Sequence, residues 1–305
     1  MRSLAITSFM AASSLCGVDA LAATFVVTNT SEAGAGSLRQ AVIDANAAST
    51  DDTIAFNIPG NGPHTIVLAS VLPTISGRLV VDGFSQAGSA PNTLTTDEGG
   101  LNAVLAIELT TGGATFNTFN LLPSTHLTVQ GLAIHGFANV ILGTPNVQPG
   151  AGVQVLGNYI GTTREGGSLG QTGNGGCAVR AAMIPSQVGG VLPWQRNLLS
   201  GNACGVMAGG PSVIEGNLIG TDASGTLAIP NGTIGNWPGV IIGGRQNIRV
   251  GGAVPGARNV ISGNQPWGIG IWPSFGGGGT GAIENVAILG NYIGTDWSGT
   301  QPLPN

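Results

Sequence analysis

Asp222 and Asp296 are the first residues to suggest chemistry, because both stand in the same context, Gly-Thr-Asp-x-Ser-Gly-Thr. Paired carboxylates can ligate Ca²⁺ or flank a glycosidic bond. Two rungs apart in a stacked chain, they would be separated by about 9.6 Å, taking about 4.8 Å per rung. That is beyond one Ca²⁺, whose oxygen ligands lie at about 2.3–2.6 Å. It touches only the upper end of an inverting glycosidase pair, about 6.5–9.5 Å. The spacing favours a turn role, each carboxylate accepting hydrogen bonds from the amides that follow it.

Residues that depart from a repeat are better placed to do chemistry than residues that recur in it. Glu215 stands where sister segments carry Leu156, Ser200, Ser262 and Leu289. Arg249 follows one segment later, and Glu284 and His135 also lie off the pattern. An Arg beside a carboxylate suits sugar-acid chemistry, so Glu215, Arg249, Glu284 and His135 are the catalytic candidates if the protein is an enzyme. All five Trp fall between Trp194 and Trp297. Exposed indoles on an elongated face would stack on sugar rings, which makes Trp237, Trp272 and Trp297 the ligand-binding candidates. No Ser-His-Asp set or zinc-type spacing is visible, and the Gly276 to Gly279 run lacks the Asp of Ca²⁺-binding nonapeptides. No metal and no cofactor are expected.

The elements that must carry these residues are set by a hexapeptide found three times: Gly157 to Thr162, Gly216 to Thr221 and Gly290 to Thr295, reading Gly-Asn-Tyr/Leu-Ile-Gly-Thr. Near-copies at long offsets mark a solenoid, in which each repeat buries its apolar face on the next. Alternation puts Ile214 and Ile288 inside and Glu215 and Leu289 outside. Cys177, Cys204, Pro238 and Trp267 open four alignable coils. The Asn after each Gly (Asn158, Asn202, Asn217, Asn264, Asn291) falls at a bend, where its amide can bond backbone or the Asn of another rung. The 53 Gly serve such turns, and with hydrophobic residues at 42% and charged residues at 8% the chain has enough apolar content to fold. Cys177 and Cys204 open successive coils and should stack about 5 Å apart, a spacing that permits a disulfide without requiring one.

Residues 1–23 read as a secretory leader, with Arg2, an apolar stretch from Leu4 to Val18 and a small-x-small site at Ala20 to Ala22. Residues 24–63 read as a strand and a helix, N-capped by Ser37 and running through Leu38, Ala41, Val42 and Ala45, that would close the first rung. Here the sequence resembles a known family. Thr28-Asn29-Thr30, Gly36 to Val42, Asp52 to Gly60, Val81 to Gln86 and Pro255 to Asn264 are similar to bacterial exported parallel β-helix proteins with a Cys-Ser-Leu-Arg-Glu-Ala-type N-terminal motif. The chain departs from that motif at Gly36, where the Cys stands, and at Gln40, where Glu is usual. The resemblance implies a right-handed parallel β-helix and export, and no established chemistry.

The expected fold is therefore all-β: a single-stranded right-handed parallel β-helix over residues 64–305, with an N-terminal strand–helix cap. Thr300 to Asn305 repeat Thr226 to Asn231 in pattern and stop mid-repeat, so the chain reads as the N-terminal part of a longer protein or a truncated product, for which end-to-end self-association is the expectation. The net charge is −5 and no basic stripe exists, which argues against nucleic acid. No transmembrane segment follows the leader. The function expected is non-catalytic: an exported surface that binds polysaccharide or a cell-surface protein. The alternative is a polysaccharide lyase or glycoside hydrolase.

Overall fold

A computed structural model of the chain describes residues 22–48, 50–144, 146–170, 173–243, 246–272 and 283–305. The leader with Cys16, and the Gly276 to Gly279 run, lie outside the described residues.

The chain winds as a parallel β-helix whose coils visit three sheets of nine, eight and six strands, every strand-to-strand pairing being parallel. In the nine-stranded sheet one inward column runs Ile54, Val81, Val129, Val155, Val188, Ile214, Val250, Ile288, each directly beside the next. β-Branched side chains fit this role because their restricted χ1 packs well on a pleated surface. All but the last are fully buried, and Ile288 is 38% exposed. The six-stranded sheet pairs Val179, Val206, Val240 and Ile269. Each stands two residues after one of the four coil openings read from the sequence, so that alignment and the register coincide.

Strands Thr24–Val27 and Asp51–Phe56 are the first two members of the nine-stranded sheet. The helix Leu38–Ala48 crosses the end of the core and buries Leu38, Ala41, Val42 and Ala45 against it. Ser37 Oγ accepts the Gln40 amide at 3.2 Å, which caps the helix. Gly36 has a φ of +76°, and a Cβ there would drive into the Thr28 side chain. This turn thus requires glycine at position 36. Arg39 fastens the helix to the next coil through the Ser70 and Val71 carbonyls, at 2.8 and 2.6 Å.

The turns are held by two Asn columns rather than one, buried except at their last members, Asn291 and Asn305. Asn158, Asn197, Asn217, Asn259 and Asn291 form the first, each Nδ2 donating to the next Oδ1 at 3.3, 2.8, 3.0 and 2.8 Å. Asn174, Asn202, Asn231, Asn264 and Asn305 form the second, at 2.8, 3.0, 2.9 and 2.9 Å. Residues 86–106 leave the solenoid altogether and lie as a strap along the outside of the eight-stranded sheet. There Leu101 and Leu105 pack with Tyr159, Leu198, Leu218 and Val260. Val104 belongs to this strap and makes an antiparallel bridge with Ala90. Arg196 is the strap's fastener: buried, it donates to the carbonyls of Leu94, Thr95, Gly99 and Gly100 and to Gly216. Burial pushes its guanidinium down to about 10.

Candidate functional site

The outer face of the six-stranded sheet carries the most distinctive surface. Register places Leu142, Arg180, Met207, Ile241 and Gly270 side by side, alternating with the inward Val179 column. Trp237 lies just before strand Val240–Ile242, and Trp272 just after strand Ile269–Ile271. Their rings meet edge to face, with centroids 5.8 Å apart and planes at 74°. Trp267 meets Trp272 in the same way at 6.3 Å and 77°. Glycine permits the assembly, since a Cβ at Gly270 would come within 2.8 Å of Pro238 and 3.3 Å of the Trp272 ring. Trp267 is 54% exposed.

Beside the indoles is a cavity of about 330 Å³, bordered by Asn139, Cys177, Arg180, Met207 and Trp237. Arg180 is exposed and makes no ion pair among the described residues. Cys177 and Cys204 face each other in register with Cα atoms 4.4 Å apart and are joined by a disulfide. The bridge spans 27 residues. Closing a loop of that size restricts the unfolded chain by about 3–4 kcal/mol in the loop-entropy account. A rigid floor next to Trp237 suits a surface that must hold its shape while empty.

The residues singled out in the sequence are distributed as follows. Trp237 and Trp272 come together, and Trp267 joins them. Trp297 does not: it packs beside Tyr292 and Ala223 on the outside of the eight-stranded sheet, its amide donating to the Gly225 carbonyl at 3.0 Å. Glu215 points outward yet is only 7% exposed, with Arg249 covering it at 2.9 Å. The contact is an ion pair by distance without an aligned hydrogen bond, so Glu215 Oε2 accepts none among the described residues. Glu284 is exposed at the start of its strand, whereas Glu215 ends its own. His135 sits on another sheet, against Glu108 at 3.0 Å. The four catalytic candidates therefore do not converge. Asp222 takes hydrogen bonds from the Thr226 and Leu227 amides, and Asp296 from those of Ser298, Thr300 and Gln301. Burial opposes ionisation of Asp296, but these bonds and the Ser298 hydroxyl outweigh it and hold the carboxyl below its ordinary value. No group of three or more His, Cys, Asp or Glu suited to a metal exists among the described residues. No helix among them is long and apolar enough to cross a membrane.

Sequence reasoning missed Arg180 and Trp267 as members of this face. The signal was available: Arg180 lies three residues after Cys177, and Met207 three after Cys204, so the coil alignment already set them side by side. Comparison of the sequence with protein-family models and with curated proteins finds no match.

Proposed function

We propose that the chain is an exported β-helix protein, akin to the bacterial family its N-terminal motif resembles, and that it binds glycan on the outer face of its six-stranded sheet. The observation that carries this reading is the joining of three indoles edge to face beside Arg180, which has no ion pair among the described residues. Indole faces stack on the apolar faces of sugar rings, and a guanidinium pairs in two-pronged fashion with a sugar carboxylate. The ligand class is therefore an acidic polysaccharide, with neutral sugars bound more weakly. A lyase or hydrolase centred on Glu215, Arg249 and Glu284 is the less supported reading, because Arg249 occupies Glu215 and Glu284 stands apart.

The test is a glycan array probed with the folded chain, followed by titration of the best acidic oligosaccharide against the Arg180→Gln and Trp272→Ala variants. Loss of about 1–3 kcal/mol of binding in each is the expected outcome, the range for a desolvated charge-assisted pair or a stacked ring. Binding that both variants leave unchanged would remove this face from the account. Ultraviolet and reducing-sugar assays run on the same oligosaccharides separate binding from cleavage.

A further inference from the structure

A second constellation lies on the eight-stranded sheet, away from the indoles. Alternation along strand Ile107–Thr111 sets Glu108 and Thr110 on the same outward side. The neighbouring strand Ala133–Ile134 pairs with it in register, and His135, the next residue, reaches between the two side chains. His135 Nε2 is 3.0 Å from Glu108 Oε1, and its Nδ1 is 3.3 Å from Thr110 Oγ1. The other carboxylate oxygen accepts a 2.8 Å bond from the Thr65 hydroxyl and has the Arg164 guanidinium 3.9 Å away.

The hydrogen bond from His135, with help from Thr65 and Arg164, outweighs burial and holds the Glu108 carboxyl below its ordinary value. An ionised carboxylate has no proton to donate, so Nε2 carries a hydrogen; in the neutral imidazole Nδ1 is then the acceptor, within reach of the Thr110 hydroxyl, which also lies 3.4 Å from the Thr111 carbonyl. Thr110 and His135 both border a cavity of about 390 Å³, with Thr111, Ala114, Thr115 and Phe137 around it. Gly136 keeps it open: a Cβ there would press to 3.2 Å on the Thr110 and Thr111 hydroxyls.

We propose that Thr110, His135 and Glu108 are nucleophile, general base and positioning residue of an acyl-transfer site that cleaves small, uncharged oxygen esters. The substrate class follows from the lining, which bears hydroxyls, methyls and one ring but no cation to hold a carboxylate or phosphate. In the first step the Thr110 hydroxyl passes its proton to His135 Nδ1 as Oγ1 bonds to the ester carbonyl carbon. The ester C–O bond then breaks, and the departing alkoxide takes that proton from Nδ1. Water, deprotonated at the same Nδ1, releases the acid and restores Thr110. Glu108 stays ionised throughout and fixes the imidazole, as the carboxylate does in a serine-type triad. This inference does not depend on the glycan-binding reading: the two cavities meet at Gly175, but no side chain argued for one site serves the other.

The test needs no variant to begin. The folded chain is incubated with a fluorophosphonate probe, digested and analysed by mass spectrometry, and its hydrolysis of p-nitrophenyl acetate is followed against a heat-unfolded control. The expected result is a single adduct on Thr110 and turnover above the control. Thr110→Val should lower kcat at least about 100-fold and Thr110→Ser should preserve it, while Glu108→Gln should lower kcat with KM little changed. Thermal melts establish that each variant is folded. Wild-type protein that takes no label at Thr110, or a folded His135→Gln variant that hydrolyses the ester at the wild-type rate, would overturn the assignment.

Discussion

Asn217 shows how single side chains hold the coils together. Fully buried, it donates to the Val188 and Glu215 carbonyls and to Asn259, and it accepts from the amide and side chain of Asn197. Asn217→Ala would leave several of these buried groups unpaired, and the expected cost is about 2–4 kcal/mol, measured as a lower urea midpoint. The repeated hexapeptide made Asn158, Asn217 and Asn291 legible in the sequence, because a motif in every copy marks a shared turn. Asn174, Asn197, Asn231, Asn259 and Asn305 were not included in that set. They lie outside the hexapeptide, and coils of unequal length bring them into the same columns. Glu108 supplies a second residue-scale expectation. Its folded carboxyl is held below the ordinary value of 4.5, so its contribution is present above that value and lost as pH falls through the lower folded one. The urea midpoint should decline on acidification, and Glu108→Gln should flatten the part of that decline due to this group.

At the scale of elements, the strap of residues 86–106 is what the sequence concealed. Its apolar members, Leu101 and Leu105, follow no strand or helix period, and the residues they meet run from Tyr159 to Val260, far along the chain; the Arg196 to Leu94 bond likewise spans 102 positions. The helix was legible because Ser37 and the spacing of Leu38, Ala41, Val42 and Ala45 are local signals. Arg196 holds the strap through four of its carbonyls, so Arg196→Met should free it while leaving the coils intact. Faster hydrogen exchange at Leu101, whose amide bonds the Ala223 carbonyl at 2.7 Å, is the expected readout. Exchange as slow as in the native chain would show that apolar packing alone retains the strap.

Across the whole molecule the two ends differ. The helix covers the first rung, whereas the last described rung presents Ile271, Ile288, Leu289 and Ile293, each 38–49% exposed. The parallel β-helix was legible because stacking repeats a pattern that the sequence must also repeat. The binding face was only half legible: Trp237 and Trp272 stood out by type, but Trp297 sits in a turn whose outer side packs on the eight-stranded sheet, which its sequence context does not reveal. The indoles and Arg180 are proposed to form one glycan-binding surface. Titration of an acidic oligosaccharide into the native chain and into the Trp237→Ala, Trp272→Ala double variant tests it most directly. Saturable binding that quenches indole fluorescence in the native chain, and is lost in the folded double variant, is the expected result. Equal binding by both proteins, or no binding of any acidic glycan by the native chain, would contradict it.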